Sequence, residues 1–517
     1  MNHLGFWNFA RSNPQALAIV DPEGRETTRG ELHAECNRLV HALRALGLAR
    51  GDAFAVLSPN SREFLALYLA AAQGGFYMVP LNWHLAAPEV AYILQDSGAK
   101  AFFAAGRVGA VATAAADEAG LAPAARIAIG AIPGFRDWTA LLADASSAEP
   151  AERRAGTVMN YTSGTTGRPK GVRRALPDID PDTASTMAAL FLGIFGIQPE
   201  SGNVHLVGSP LYHTAVLQYS SMSLHLGHAV VIMEKWEPEA MLALIDRRRV
   251  TFSHMVPTQF VRLLKLPEET RARYDVSSTR HMIHAAAPCP PEVKRQMIEW
   301  WGNSIQEYYA ATEGGGTVVN AEEWLAHPGT VGRPWPGAGV RILDESGNDL
   351  PAGQQGTVYM KLNPQLQFEY KGDPDKTRGN RVGDWFTVGD IGYLDGEGYL
   401  FLCDRKIDMI ISGGANIYPA EIENVLILHP AVADCAVFGV PDEDWGEAIK
   451  AVVQLRAGVE GDEAMNESIM AFLGERLARM KLPRSIDYLP ELPRDPNGKL
   501  YKRKLRDPYW AGRERKV

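Results

Sequence analysis

The run Tyr-Thr-Ser-Gly-Thr-Thr-Gly-Arg-Pro-Lys-Gly, from Tyr161 to Gly171, constrains this chain more than any other segment. Gly164, Gly167 and Gly171 let the backbone come close to a ligand. Thr162, Ser163, Thr165, Thr166 and the free amides supply donors, and Lys170 supplies positive charge, a set that suits polyphosphate. A short apolar strand, Thr157 to Asn160, leads into the loop. The common NTPase loop needs GxxxxGK[ST]; here Gly164, Gly167 and Lys170 fall at other spacings and no hydroxyl follows the lysine, which weakens a kinase reading. Without its context, the bland alternative is a flexible glycine and threonine loop that binds nothing.

A chain of 517 residues exceeds what one core supports, so two or more domains are expected. Its 46% hydrophobic and 22% charged residues are ordinary for a globular α/β protein. A net charge of -9 disfavours a nucleic-acid surface, and no zinc-finger spacing is present. From Arg494 to Val517 nine Lys/Arg stand against three Asp/Glu, a tail that faces either a polyanion or only solvent. Cys36, Cys289, Cys403 and Cys435 form no CxxC pair and read as reduced core thiols. The N-terminus lacks a secretion signal and no apolar stretch reaches the ~18 residues a span requires. A cytoplasmic protein without stable membrane insertion is expected, with a homodimer left open.

Strand and helix alternate along most of the chain. A helix after Thr28, a strand from Ala53 to Leu57 and a helix from Arg62 to Ala72 come first. Strands at Val204 to Gly208, Ala229 to Met233 and Val340 to Leu343, with a helix from Pro238 to Arg248, predict layered sheets covered by helices. After Val340 close strands and Gly/Asp turns suggest a small β-rich subdomain. A boundary is expected near Asp404, followed by a compact α/β module.

With the loop in view, the run from Tyr161 to Gly171 resembles the signature of the acyl-adenylate-forming superfamily, which includes acyl-CoA synthetases, luciferases and adenylation domains of peptide synthetases. Segments similar to its further motifs follow in order to Lys499. The resemblance implies a large N-terminal domain of layered αβαβα sheets with a small β-barrel-like subdomain (1–404), then a small mobile α+β domain (405–517). It implies ATP, Mg²⁺ and coenzyme A as cosubstrates and cofactor, a small-molecule carboxylic acid as substrate, and a place in fatty-acid and lipid metabolism.

Residue roles follow from the same resemblance. ATP and AMP fall to Thr162, Ser163, Gly164, Thr165, Thr166, Gly167 and Lys170, to Ala286 and Ala287 against adenine, and to Glu307, Tyr308, Tyr309 and Ala310. Tyr309 would stack on adenine, Thr312 would bond the α-phosphate and Glu313 would hold Mg²⁺. Asp390 and Arg405 would hold the ribose hydroxyls. Lys499 would reach the carboxylate and α-phosphate. Ile407 takes the hinge position, where Lys or Asp is common, and Ala310 and Val388 replace a usual glycine and threonine. Ser412, Gly413 and Gly414 resemble the loop lining the thiol channel, and Trp445 is either a contact for the nucleotide end of coenzyme A or a core tryptophan.

The acyl pocket is expected from His213, Thr214, Val216, Leu217, Ala285, Ala310 and Gly315. His213 resembles an aromatic gate and counts with Lys499, Thr312 and Glu313 among the catalytic candidates; a capping or core histidine is its bland reading. The lining looks apolar and the glycines after Glu313 leave room for bulk, so a fatty, cyclic, aromatic or steroid-like acid is expected. The function implied is acyl-AMP formation with pyrophosphate release, then thioester formation with coenzyme A. Two alternatives stand beside it: a ligase serving a carrier protein, and a nucleotide-binding homologue without catalysis.

Overall fold

The computed structural model describes residues 4–162, 169–311, 314–361, 369–370, 381–494 and 500–511. Among the described residues it divides into two compact units, the first built from residues before 256 together with 266–283 and 369–370, the second from 256–265, 284–361 and residues from 381 on.

In the first unit, Ala53–Leu57, Tyr77–Leu81, Ala99–Ala105 and Arg126–Ile129 form a parallel sheet extended by Thr157–Val158. Ala53–Leu57 and Tyr77–Leu81 are buried throughout, as strands covered on both faces must be. A second sheet runs in the order Glu26–Thr28, Leu17–Val20, Ala229–Ile232, Val204–Val207, Phe252–Met255 and His281–His284. The covering helices are defined locally. Thr28 and Glu31 form a capping box that starts Arg29–Ala45, which buries Leu32, Cys36, Leu39, Val40 and Leu43 at helical spacing. Ser61 caps Arg62–Gly74, and Gly75 ends it at φ 76°. The expected layered α/β class is what is found, with Ala53–Leu57, Pro238–Arg248 and Val340–Leu343 bounded as the pattern predicts.

In the second unit, Val340–Leu343, Gly356–Lys361, Trp385–Phe386, Asp390–Leu394 and Leu400–Arg405 make a small antiparallel β subdomain. The last of these strands runs through Asp404 to Arg405. Ile410–Ser412, Val432–Asp442, Gly446–Leu455 and Ser485–Tyr488 form another sheet, packed with Pro419–Leu426 and Glu463–Gly474 around Ile422, Leu426, Val437, Ile449, Val453, Ile469 and Leu473. The last helix starts four residues before the apolar run from Glu467, because Asp462 accepts the Met465 N–H. All four cysteines are unpaired. Among the described residues no helix is long and apolar enough to cross a membrane.

Candidate active site

In the first unit the strands flanking the glycine and threonine run pair antiparallel, Asn160–Thr162 with Lys170–Arg173, setting Lys170 opposite Thr162. The Tyr161 hydroxyl donates to Asp96 Oδ2 at 2.5 Å, and burial together with that carboxylate pushes the phenol pKa up. A Cβ on Gly171 would stand 3.1 Å from the Tyr161 ring, so the hairpin base admits only glycine there without adjustment. Ser163, Gly164, Thr165, Thr166 and Gly167 lie outside the described residues.

His213 precedes the helix Thr214–His225 at its N-cap, yet its side chain makes no capping bond. It is half-buried with its ring 4.4 Å from Tyr212, while Val216 and Leu217 sit in the core with Leu211. Thr214 is half-buried. The approach to His213 is held by Asn60, which sequence reasoning missed. Its Nδ2 donates to the carbonyls of Ser209 and Met233, both at 3.0 Å, and its Oδ1 accepts the Leu211 N–H at 2.7 Å. A lone asparagine some 150 residues from its partners carries no local signal.

In the second unit Ile305–Ala311 pairs antiparallel with Gly314–Val319, placing Tyr309 opposite Thr317 and Ala310 opposite Gly316. The Tyr309 hydroxyl donates to Asp390 Oδ2 at 2.5 Å, and Arg405 Nε stands 3.7 Å from Asp390 Oδ1. Three residues expected at the nucleoside are thus gathered from strands far apart in sequence. Asp390 also faces Arg405 across its own ladder. Burial, then the neighbouring Asp390, pushes the Tyr309 phenol well up. Ala310 is exposed and Tyr308 buried. Thr312 and Glu313 lie outside the described residues.

Glu307 is turned into the core, where Lys294 Nζ donates to its Oε2 at 2.6 Å and His284 Nε2 stands at 3.7 Å. Burial pushes its pKa up while Lys294 opposes the shift. Its carboxylate is committed to Lys294, and its backbone lies in the ladder opposite Val319. Lys294, itself buried and 5.0 Å from the Trp324 ring centroid, is a second residue the motifs did not reveal. Ala285 is buried, Ala286 exposed and Ala287 half-buried. Ala286 takes φ 73°, a left-handed conformation that a side chain makes costly and that recurs at functional sites.

One expectation fails. The glycines after Glu313 do not leave open room beside Gly315 and Gly316. A Cβ on Gly315 would lie 2.8 Å from Met360 Cβ, and one on Gly316 would lie 2.4 Å from the Trp335 ring and 2.3 Å from the Tyr309 carbonyl oxygen. The protein's own side chains and backbone fill that space, so these glycines argue nothing about a bulky acid.

Gly413 and Gly414, at φ 58° and 82°, form the two-residue turn between Ile410–Ser412 and Ala415–Ile417. Gly413 N–H donates to the Trp445 carbonyl at 2.8 Å, and a Cβ there would meet the Trp445 ring at 2.5 Å. Trp445 is 48% exposed with the Arg484 guanidinium 5.1 Å above its ring, so it is not a core tryptophan. Ser412 pairs with Ala415 and Gly446. Ile407 is 53% exposed. Lys499 lies outside the described residues, but the flanking Arg494 and Leu500 pair with each other, and Arg494 grips Asp434 through Nε at 2.5 Å and Nη2 at 2.7 Å.

Residues 6–367 match the family of AMP-binding enzymes and residues 421–499 match the AMP-binding enzyme C-terminal domain. The chain is 34% identical over 518 residues to the fatty acid–[acyl-carrier-protein] ligase ScoC of Streptomyces coeruleorubidus, covering 98% of this chain and 96% of that one. It is 35% identical over 525 residues to the long-chain-fatty-acid–CoA ligase FadD13 of Mycobacterium tuberculosis, covering 99% of each. Among solved structures, ATP-bound MatB from Rhodopseudomonas palustris superposes with a TM-score of 0.80 at 30% identity, over 98% of this chain and 99% of that one. With both family domains matched in order across nearly its whole length, the chain belongs to the AMP-binding enzyme family, within the acyl-adenylate-forming superfamily.

Proposed function

We propose that this protein activates an apolar carboxylic acid with ATP and transfers the acyl group to coenzyme A. The observation that carries the reading is the Asp390 carboxylate lying between the Tyr309 hydroxyl and Arg405, a polar acceptor beside an aromatic ring at the end of a glycine hairpin. In this reading Tyr309 stacks on adenine, the Ala286 and Ala287 backbone covers its other face, and Asp390 with Arg405 holds the ribose. The loop from Thr162 to Lys170 cradles the phosphates.

A carboxylate cannot expel oxide, so it is first made an anhydride. Its oxygen attacks the α-phosphorus of ATP, the bond to the bridging oxygen breaks, and pyrophosphate leaves with that electron pair. Two anions approach in this step, and Lys499 and Lys170 offset the developing charge while Thr312 bonds the α-phosphate. Among the described residues no cluster of His, Cys, Asp or Glu makes a protein metal cage. A single carboxylate, Glu313, fits the usual manner in which Mg²⁺ enters with nucleotide phosphates, and the ion would supply positive charge to their oxygens. In the second step a thiolate attacks the acyl carbon and AMP departs. Residues 405–517 then act as a mobile domain turning about Ile407, exchanging Lys499 for the Ser412 to Gly414 turn. His213, with Thr214 beside it, gates the acyl substrate. Four unpaired cysteines favour a reducing, cytoplasmic setting.

Transfer to a carrier protein is the second reading, favoured by the 34% identity to ScoC. The test is pyrophosphate release with ATP and Mg²⁺ across short, medium, long-chain, aromatic and steroid-like acids, with free coenzyme A or a phosphopantetheinylated carrier, for wild type and Lys499→Ala. Acid-dependent release that yields acyl-CoA and collapses in the variant is expected. Release that goes on only with the carrier selects the second reading, and silence with every acid rejects both.

A further inference from the structure

The helix Pro419–Leu426 has no cap of its own: Tyr418, at its N-cap, makes no side-chain bond to it. The missing acceptor comes from Asp404, whose Oδ2 takes the Ala420 N–H at 3.0 Å. Asp404 precedes Ile407 and Ala420 follows it, so this bond spans the pivot. A second bond spans it too. Lys265, closing the helix Pro257–Leu264, donates from Nζ to the carbonyls of Val432 at 2.8 Å and Ala433 at 3.0 Å. Tyr418 adds a third, its hydroxyl donating to Gln355 Oε1 at 3.0 Å.

Other bonds confine where turning can happen. Lys406 N–H donates to the Gly389 carbonyl at 2.9 Å, tying the chain before the pivot to the β subdomain. Arg506 Nη1 donates to the Ile407 carbonyl at 3.1 Å and to Asp408 Oδ1 at 3.2 Å, tying the chain after it to the helix that follows the Lys499 loop. Between these two anchors the Asp408 and Met409 N–H groups donate to the Arg405 carbonyl at 3.0 and 3.2 Å, closing a turn over Lys406 and Ile407 that a domain rotation has to open. A rotation there carries the Arg506 bonds along and must break those of Asp404 and Lys265.

We propose that Asp404 and Lys265 are positioning residues that hold the C-terminal domain in one of its two working orientations and so set the balance between adenylation and thiol transfer. This rests on the two-step reading above. Each bond is charge-assisted and partly shielded from water, the class of hydrogen bond that contributes most. Burial lowers the Lys265 pKa to about 8, which leaves its ammonium held by carbonyl dipoles at neutral pH.

Two measurements on the full chain test this. Arg405 and Lys406 are half exposed, so trypsin cuts there when the domain swings free. Lys265→Met is expected to speed that cleavage at least about fivefold with no change in Tm, since losing one such bond shifts an equilibrium by that order. The second measurement compares acid-dependent ATP–pyrophosphate exchange with transfer from preformed acyl-adenylate to coenzyme A. In Lys265→Met and Asp404→Ala the ratio of the two rates shifts at least about fivefold, both in the same sense, and Asp404→Asn, which keeps an acceptor oxygen, recovers part of it. Wild-type cleavage together with equal changes in both half-reactions overturns the proposal. If the wild type shows no exchange with any acid, the adenylation reading is what fails, and the cleavage rate alone decides whether Lys265 holds the domain.

Discussion

The hydroxyl of Tyr309 donates to Oδ2 of Asp390 across 2.5 Å, joining the strand that ends at Ala311 to the strand that begins at Asp390. Two residues expected to grip different parts of one nucleoside already grip each other. The phenol holds the carboxylate in place while Arg405 approaches its other oxygen.

Removing either partner separates positioning from ligand contact. Tyr309→Phe keeps the ring and loses the donor, so KM for ATP is expected to rise about tenfold with a smaller change in kcat, the effect of one charge-assisted hydrogen bond. Asp390→Ala removes the acceptor proposed for the ribose and leaves a buried phenol unpaired, so it is expected to raise KM further and also to lower Tm. Steady-state kinetics and thermal melting distinguish them; an unchanged KM in both variants removes Asp390 from the ribose site.

The buried pair Lys294–Glu307 makes a stability prediction. Lys294→Met strands a carboxylate in the core and costs about 3–5 kcal/mol, whereas Lys294→Met with Glu307→Leu recovers most of the loss because no charge remains unpaired. Urea midpoints for the single and double variants check it.

Asn60 satisfies one amide and two carbonyls at once. Asn60→Ala is expected to destabilise the fold by ~3 kcal/mol and to loosen the turn before His213, since buried polar groups lose their partners. Hydrogen exchange at the Leu211 amide, faster in the variant, reports the local part of that loss.

Four buried histidines set a lower pH limit. Burial lowers the pKa of His225 to about 3 and of His228 and His254 to about 4, and burial, then repulsion from His254 and His228, takes His205 well below its ordinary value. A base depressed in the fold is protonated first in the unfolded chain, so as pH falls the unfolded state takes up protons that the native state refuses. Tm is therefore level above about pH 7, and declines as pH drops through about 6.5 toward 4. A Tm that stays level down to pH 4.5 contradicts the neutral buried state of these residues.

What the sequence by itself determined is what neighbouring residues decide together. The capping box at Thr28 and Glu31, the two-glycine turn at Gly413 and the alternation of apolar strands and amphipathic helices depend on hydrogen bonds and periodicity within a few positions. The phosphate loop and the family motifs are equally contiguous, so their order from Tyr161 to Lys499 was legible before any coordinates. What only the tertiary structure decided depends on pairs far apart in the chain. Asp390 meets Tyr309, Lys294 captures Glu307, Asn60 braces the loop before His213, and Lys265 reaches Val432. No short-range pattern encodes these contacts, because each is chosen when packing removes water and a polar group must find a partner within hydrogen-bond distance. The same packing put Trp335 and Met360 where the glycine run by itself promised space, since a missing side chain frees room equally for a ligand or for the protein's own core.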